Sequence, residues 1–338
     1  MNGSDTATLR QRLDTHKRFS FFSKPITFFA AIALAFGLLS HVACGGSVSD
    51  NFSTYANSSS AYSVFASNGD VHVAGLVSMR HGSNEYPVAA LWKNPRPKDP
   101  PYYLSGMEES YATSVFVANN HVYVAGAGRA KDENNGLLAA ALWTDGSPKY
   151  WGEKDDRFTW LGITSLFVSG EDVYIAGRGR SYKQPKVKAL LWENGVIQPL
   201  TAESDSSEAY SVYVSGNYVY VAGSDGDKAV LWKNGVAKHL SDGSSPAAAR
   251  SVFVSGGDVY VAGADGRKAV LWKNGVAEYL DGDSRGGSSA NSVFVSGGNV
   301  YVAGEDRWNA ILWSPTNSQG AALASMEKTL LAPLKEND

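Results

Sequence analysis

The chain lacks most of the features that announce a chemistry. Its single cysteine, Cys44, rules out an intrachain disulfide. No apolar run reaches the ~20 residues that a stable spanning helix requires; the longest, from Ile26 to Leu39, falls short. Lys and Arg (30) do not outnumber Asp and Glu (33), and a net charge of -3 offers no basic face for nucleic acid. His16, His41, His72, His81, His121 and His239 show no metal-ligand spacing, and there is no G-x-S-x-G elbow and no phosphate loop. Asp225-Gly226-Asp227 and Asp281-Gly282-Asp283 lack the further oxygen ligands of a calcium loop, so both read as turns. Neither a cofactor nor a metal is therefore expected.

What is present is repetition. The stretch from Ser251 to Leu280, SVFVSGGDVYVAGADGRKAVLWKNGVAEYL, recurs six times between residues 48 and 313. Ser63, Ser114, Ser165, Ser211, Ser251 and Ser292 each open a copy. A Val follows eight residues later and a Gly twelve residues later, at Gly75, Gly126, Gly177, Gly223, Gly263 and Gly304. Each copy then reaches a Trp, at Trp92, Trp143, Trp192, Trp232, Trp272 and Trp313, with Ala three residues before it. A period near forty residues signals stacked or radially arranged units.

Within a copy, SVFV and VYVA are short unbroken apolar runs bounded by Gly, Ser, Asn and Asp, which read as strands buried on both faces. AVLW supplies a third strand. Asn-Gly turns such as Asn234-Gly235 lead to a fourth, because both central turn positions need positive φ. Four strands per unit, each buried on both faces, predict an all-β fold: a six-bladed β-propeller of four-stranded antiparallel blades. Copy six has no fourth strand directly after Trp313. Val48 and Phe52 stand at the offsets from Ser63 that Val236 and Leu240 hold from Ser251, so residues 48–52 are expected to close the ring. The tail, 314–338, carries Leu323, Met326, Leu330, Leu331 and Leu334 at helical spacing, and a short helix is expected there.

Ahead of the repeats, Arg10, Arg12, Lys17, Arg18 and Lys24 precede the apolar run, as in a signal peptide covering residues 1–43. His41-Val42-Ala43-Cys44, followed by Gly45 and Gly46, resembles the lipobox of bacterial lipoproteins, with His41 where that family usually has Leu. The resemblance implies lipidation of Cys44, residues 44–47 as a tether, and an exported protein anchored to a bacterial membrane. A plain cleaved signal and an uncleaved anchor remain open. The second-strand Gly and later Trp resemble kelch-type propeller repeats. The SVFVSG, DVYVAG and LWKNG segments are more similar still to bacterial exported repeat proteins, a resemblance that implies a propeller but no activity.

From repeat Gly to Trp there are 17, 17 and 15 residues in copies one to three and 9 in the others. In a propeller these stretches and the blade-to-blade connections share one end, and such variation marks a working face. The long stretches carry Arg80, His81, Arg129, Lys131, Arg178, Arg180, Lys183, Lys186 and Lys188. The connections carry Tyr102, Tyr103, Trp151, Phe158 and Trp160. Cations beside aromatic faces suit an anionic glycan or an acidic protein segment. The alternative is that these side chains are solvated and neutralised by Asp132, Glu133, Asp155 and Asp156. Two functions follow: a noncatalytic, membrane-anchored monomer that binds a protein or glycan, or a glycan-active hydrolase or lyase. The second would need two of Glu85, Asp132, Glu133, Asp155 and Asp156 facing one pocket, or a Tyr or His base beside an Arg.

Overall fold

The computed structural model describes residues 56–81, 84–95, 100–104, 106–130, 138–151, 160–180, 186–201, 206–280, 287–307, 309–315 and 326–330. Cys44, the signal segment and residues 48–52 lie outside the described residues.

The described residues form a six-bladed β-propeller with four antiparallel strands in each blade. Blade one comprises β1 (Ala56–Ser67), β2 (Asp70–His81), β3 (Asn84–Lys93) and β4 (Tyr102–Tyr103). Blade two has β5 (Met107–Ala118), β6 (His121–Ala130), β7 (Leu138–Thr144) and β8 (Ser147–Trp151). Blade three has β9 (Trp160–Ser169), β10 (Asp172–Arg180), β11 (Val187–Glu193) and β12 (Val196–Pro199). Blade four has β13 (Ser207–Ser215), β14 (Tyr218–Asp225), β15 (Lys228–Lys233) and β16 (Val236–His239). Blade five has β17 (Ala247–Ser255), β18 (Asp258–Asp265), β19 (Lys268–Lys273) and β20 (Val276–Tyr279). Blade six has β21 (Ser288–Ser296), β22 (Asn299–Asp306), β23 (Asn309–Pro315) and β24 (Met326–Leu330).

The constant residues each do a defined job between or within blades. One face of a blade, such as Tyr220, Ala222, Ala229 and Leu231, packs on the Ala249, Val252, Val261, Val270 and Trp272 face of the next. The Ala residues let the two sheets approach, and the Trp fills the space beside them, so Trp143, Trp192, Trp232, Trp272 and Trp313 are all buried. The repeat Ser acts across the boundary. Its Oγ accepts the inner-strand N–H of the next blade, from Val115 to Ser63, Leu166 to Ser114, Val212 to Ser165, Val252 to Ser211 and Val293 to Ser251, at 3.1 to 3.3 Å. Those N–H groups have no sheet partner, and a buried donor left unpaired would be costly. The aromatic two residues after each Ser builds a row along the inner strands, Phe65, Phe116, Phe167, Tyr213, Phe253 and Phe294, with successive centroids 4.6 to 5.2 Å apart.

The third-to-fourth turn is more than a reversal. Asn234 and Asn274 adopt positive φ, and each side-chain Oδ1 accepts the N–H of the Val that begins the second strand, Val219 or Val259. The same backbone N–H positions of the Asn donate back to those Val carbonyls at 2.8 Å. Asn94 and Asn194 repeat the clamp, and Asp145 does so in blade two, where it also holds His121 Nδ1 at 2.6 Å.

Two expectations need correction. The fourth strands are not buried on both faces: Val196, Val236 and Val276 are exposed, because these strands form the rim with nothing outside them. The tail is not helical over its described part. Met326–Leu330 is β24, antiparallel to β23 with Trp313 opposite Lys328. The unpaired backbone edge of β23 outweighs the helical spacing of the tail's apolar residues. The expected closing strand, residues 48–52, is not among the described residues, and the edge of β23 assigned to it pairs with β24.

The boundary between blade six and blade one also departs from the other five. Ala61 is exposed where Ala112, Ala209, Ala249 and Ala290 are buried, and Ala310 is exposed where Ala89, Ala140, Ala189, Ala229 and Ala269 are buried. Among the described residues, no bond from Ser292 to Val64 continues the serine ladder. Trp92, on the outward face of blade one, is accordingly the one repeat Trp left partly accessible.

His72 takes the second-strand position that Tyr123, Tyr174, Tyr220, Tyr260 and Tyr301 hold elsewhere. It is buried, its Nδ1 has no partner among the described residues, and burial, assisted by the Lys93 charge, pushes the imidazole below its usual range. The folded chain thus refuses a proton that the unfolded chain accepts. This position adds no pH dependence above about pH 6.5 and loses stability as the pH falls below it. His72→Tyr, which installs the residue the other blades use, should flatten that loss. Denaturant midpoints at pH 7.5 and 5.5 would check this, and equal pH dependence in both proteins would refute it.

Candidate functional site

The site begins with a backbone irregularity. In every inner strand the pairing skips one residue just before the repeat Ser: Tyr62, Thr113, Thr164, Tyr210, Arg250 and Asn291 are each bulged out of register. A bulge re-aims the extra side chain and increases local twist. It also explains the repeat Gly, whose φ is unremarkable. A Cβ on Gly263 would collide with the Ala248 carbonyl oxygen, just upstream of the bulge, and lie 2.9 Å from Trp272 Cζ3. Gly223 and Gly304 are confined in the same way.

The six bulged residues are all half-buried and sit beyond the aromatic row, toward the end where the second strands turn into the third. They form a largely uncharged set of two tyrosines, two threonines, an asparagine and a single cation. Thr164 Oγ1 donates to Ala176 O at 3.0 Å and is 2.8 Å from Ala209 O in the next blade; Thr113 Oγ1 donates to Ala125 O at 3.2 Å. The Tyr210 hydroxyl lies 3.4 Å from Ser224 Oγ.

Further toward that end, ion pairs join neighbouring strands. Arg129 Nε is 2.6 Å from Glu109 Oε2, and Arg178 pairs with Glu208 of the next blade, about three-quarters buried on each side. Burial raises the hydroxyls of Tyr111 and Tyr210; Arg178 opposes this at both, and Glu208 reinforces it at Tyr210. Raised phenols stay protonated at neutral pH, so they donate hydrogen bonds and do not serve as bases.

The expected cations are therefore placed differently from the reading of exposed loops. Arg80, Arg129, Arg178 and Arg180 lie in strands, because the β2–β3 and β10–β11 hairpins run on to His81 opposite Asn84 and Arg180 opposite Val187. Arg80 stands across from Glu85, a favourable cross-strand pair of opposite charge. Lys131 and Lys183 lie outside the described residues, as do Asp132, Glu133, Asp155, Asp156 and Phe158. Trp160 begins β9 opposite Arg180. Lys188 is buried.

Two aromatic expectations are overturned. Trp151 is the last residue of β8 and is buried at the position where other blades place Leu104, Leu200, Leu240 or Leu280, so it packs between blades and does not line a mouth. Tyr102 and Tyr103 are β4 itself, exposed on the rim. With Trp92, Lys93, Pro95, Pro100 and Pro101, Tyr102 borders a cavity of about 270 Å³ near the Asn-turn end, opposite the bulged ring. Among the described residues, no group of three or more His, Cys, Asp or Glu is placed to hold a metal ion.

The residue missed by reading loops is Arg250. The sequence did carry a signal, since Arg250 is the only charged residue at the position before the repeat Ser. Its Nη1 donates to Asn291 Oδ1 at 2.6 Å and to Ser289 Oγ at 3.2 Å.

Comparison with known proteins bears on the scaffold. Residues 207–230 and 287–311, the first two strands and the start of the third in blades four and six, match the LVIVD repeat, a β-propeller-type repeat. No curated protein matches the chain. Among solved structures, a prolyl endopeptidase aligns at 11% identity over 82% of this chain and 43% of its own, with a TM-score of 0.50. The computationally designed Ika8 protein aligns at 16% identity over 77% of this chain and 72% of its own, at 0.43. Trypanosoma rangeli sialidase aligns at 10% over 77% and 52%, at 0.40. The chain spans about half the length of that sialidase and less of the endopeptidase, and identities this low speak to the fold alone.

Proposed function

We propose that the protein is a noncatalytic binding propeller of the bacterial cell envelope, exported by its N-terminal signal peptide and held as a monomer at the membrane through lipid on Cys44. The similarity of its repeats to kelch-like units of exported bacterial proteins, and of residues 41–44 to a lipobox, supports that placement. The partner, a protein or a glycan, is taken at the end of the propeller where the bulged ring opens. The observation that carries this reading is the set of bulged residues: six half-buried side chains, one per blade, held out of register at the same point of each inner strand, next to the repeat Ser. A core position would be filled by a small or aliphatic side chain. Tyr, Thr, Arg and Asn there provide hydrogen-bonding groups on a rigid frame. Of the groups an enzymatic reading would use, Asp132, Glu133, Asp155 and Asp156 lie outside the described residues, and burial raises the phenols of Tyr111 and Tyr210.

The test fills the ring with residues the repeat already tolerates. In the double variant Thr113→Tyr/Thr164→Tyr, two more blades carry the side chain of Tyr62 and Tyr210. Capture of the natural partner from envelope extract should fall at least tenfold with little change in thermal stability. Lys233→Ser/Lys273→Ser and Tyr102→Ser, at the opposite end, should leave capture intact. Equal recovery by all variants, or loss only from the Lys233, Lys273 or Tyr102 changes, would refute this placement.

A further inference from the structure

We infer that Arg250 is an anchoring residue for a carboxylate-bearing sugar, so that the ring recognises a uronate-containing glycan. The inference rests on the binding reading above and narrows it. Two arginines at this end are answered by carboxylates, Arg129 by Glu109 and Arg178 by Glu208. Arg250 is half-buried, and among the described residues only neutral oxygens hold it, through one terminal nitrogen. Glu305 stands one hydrogen bond removed: Ser289 Oγ donates to Glu305 Oε1 at 3.1 Å and also contacts Asn291 Oδ1 at 3.1 Å.

This arrangement fixes the guanidinium without neutralising it. Using Nη1 for the internal bonds leaves the Nε–Nη2 edge of the fork for a ligand, and that edge matches a carboxylate in two parallel hydrogen bonds. A partly buried cation that has no carboxylate partner among the described residues bears a desolvation cost that an incoming anion relieves. The remaining ring decides which anion. Tyr62, Thr113, Thr164, Tyr210 and Asn291 supply hydroxyl and amide groups with no second cation. A sugar acid presents one carboxylate among several hydroxyls and fits this set. An acidic peptide offers carboxylates without hydroxyls beside them and would leave the tyrosine, threonine and asparagine groups unmet. A sulfated glycan carries its charge on tetrahedral groups, which the fork also binds but whose shape matches the planar guanidinium edge less closely than a carboxylate does.

The test titrates the full chain, purified in detergent, with oligogalacturonate, neutral oligogalactose, oligoglutamate and a sulfated oligosaccharide. The expected result is saturable binding of oligogalacturonate, at least tenfold tighter than that of the other three, and weakening as salt is raised. Arg250→Thr, which installs the residue of blades two and three, should lower that affinity at least tenfold with an unchanged melting temperature. Arg250→Lys keeps the charge without the fork and should recover part of it. Should Arg250→Thr unfold the chain, Arg250→Lys alone decides, and undiminished affinity in that variant would overturn the role of the fork. The inference also fails if wild type prefers oligoglutamate or the sulfated sugar, if no uronate oligomer binds, or if Arg250→Thr binds as well as wild type. If it fails while the Thr113/Thr164 variant still loses envelope capture, the binding propeller stands with a different ligand; if capture survives that variant, the broader reading falls.

Discussion

Trp272→Ala is expected to lower the free energy of unfolding by about 3 to 5 kcal/mol, a large share of the roughly 5 to 15 kcal/mol that holds a typical domain together. The indole is 1% exposed. It fills the boundary between blades four and five, against a surface that includes Ala222, Ala229 and Leu231. Its Nε1 donates to Leu240 O across that boundary at 3.0 Å, so truncation removes both the packing and the partner of a sheltered carbonyl. Flat sheets built on Ala cannot collapse into the space left. Trp92→Ala should cost distinctly less, because that indole lies on the uncovered face of blade one. Urea unfolding of both variants would check the pair, and equal losses would mean that the six Trp positions share one environment.

Gly263→Ala adds a single methyl group, yet a loss of about 1 to 3 kcal/mol or more is expected, in the range of overpacked cores. The new carbon would meet the Ala248 carbonyl, which is backbone and fixed by the bulge, and the Trp272 ring on the other side. Neither neighbour is the far end of a flexible chain. Relief would require straightening the bulge that aims Arg250 or moving the indole out of its boundary. Gly257→Ala supplies the contrast: that residue has positive φ in the β17–β18 turn but nothing within 4 Å of an added Cβ, so only conformational strain is added. Midpoint shifts in guanidinium, compared between the two variants, report this. A larger loss at Gly257 would show that conformational freedom, and not space, keeps Gly in the repeat.

The placement of charge shows where reading in one dimension falls short. Arg129 and Arg178 stand out in the sequence as cations in variable stretches. Their partners, Glu109 and Glu208, lie 20 and 30 residues away, and one of them belongs to a different blade. Arg250 is unexceptional among ordinary strand residues until the six copies are superimposed, and its bonds to Asn291 and Ser289 in the next blade are visible only in three dimensions. Trp151 had the composition of a binding aromatic but is buried where other blades place a Leu against the core.

By itself the sequence determined the number of blades, the order and rough length of their strands, the Ser, Gly and Trp positions, and the Asn-Gly turns. These follow from local chemistry repeated six times: apolar runs that must pair, turns that need positive φ, and a strand spacing that admits one sheet geometry. The tertiary structure alone decided which groups meet across blade boundaries. It bulged each inner strand before its Ser, matched arginines to distant carboxylates, and left Arg250 to neutral oxygens. It also drew Met326–Leu330 onto the free edge of β23 and left Ala61 and Ala310 exposed where their counterparts in other blades are buried. Such choices depend on which backbone edges and charges remain unsatisfied once the sheets have packed, and that remainder exists only in the assembled fold.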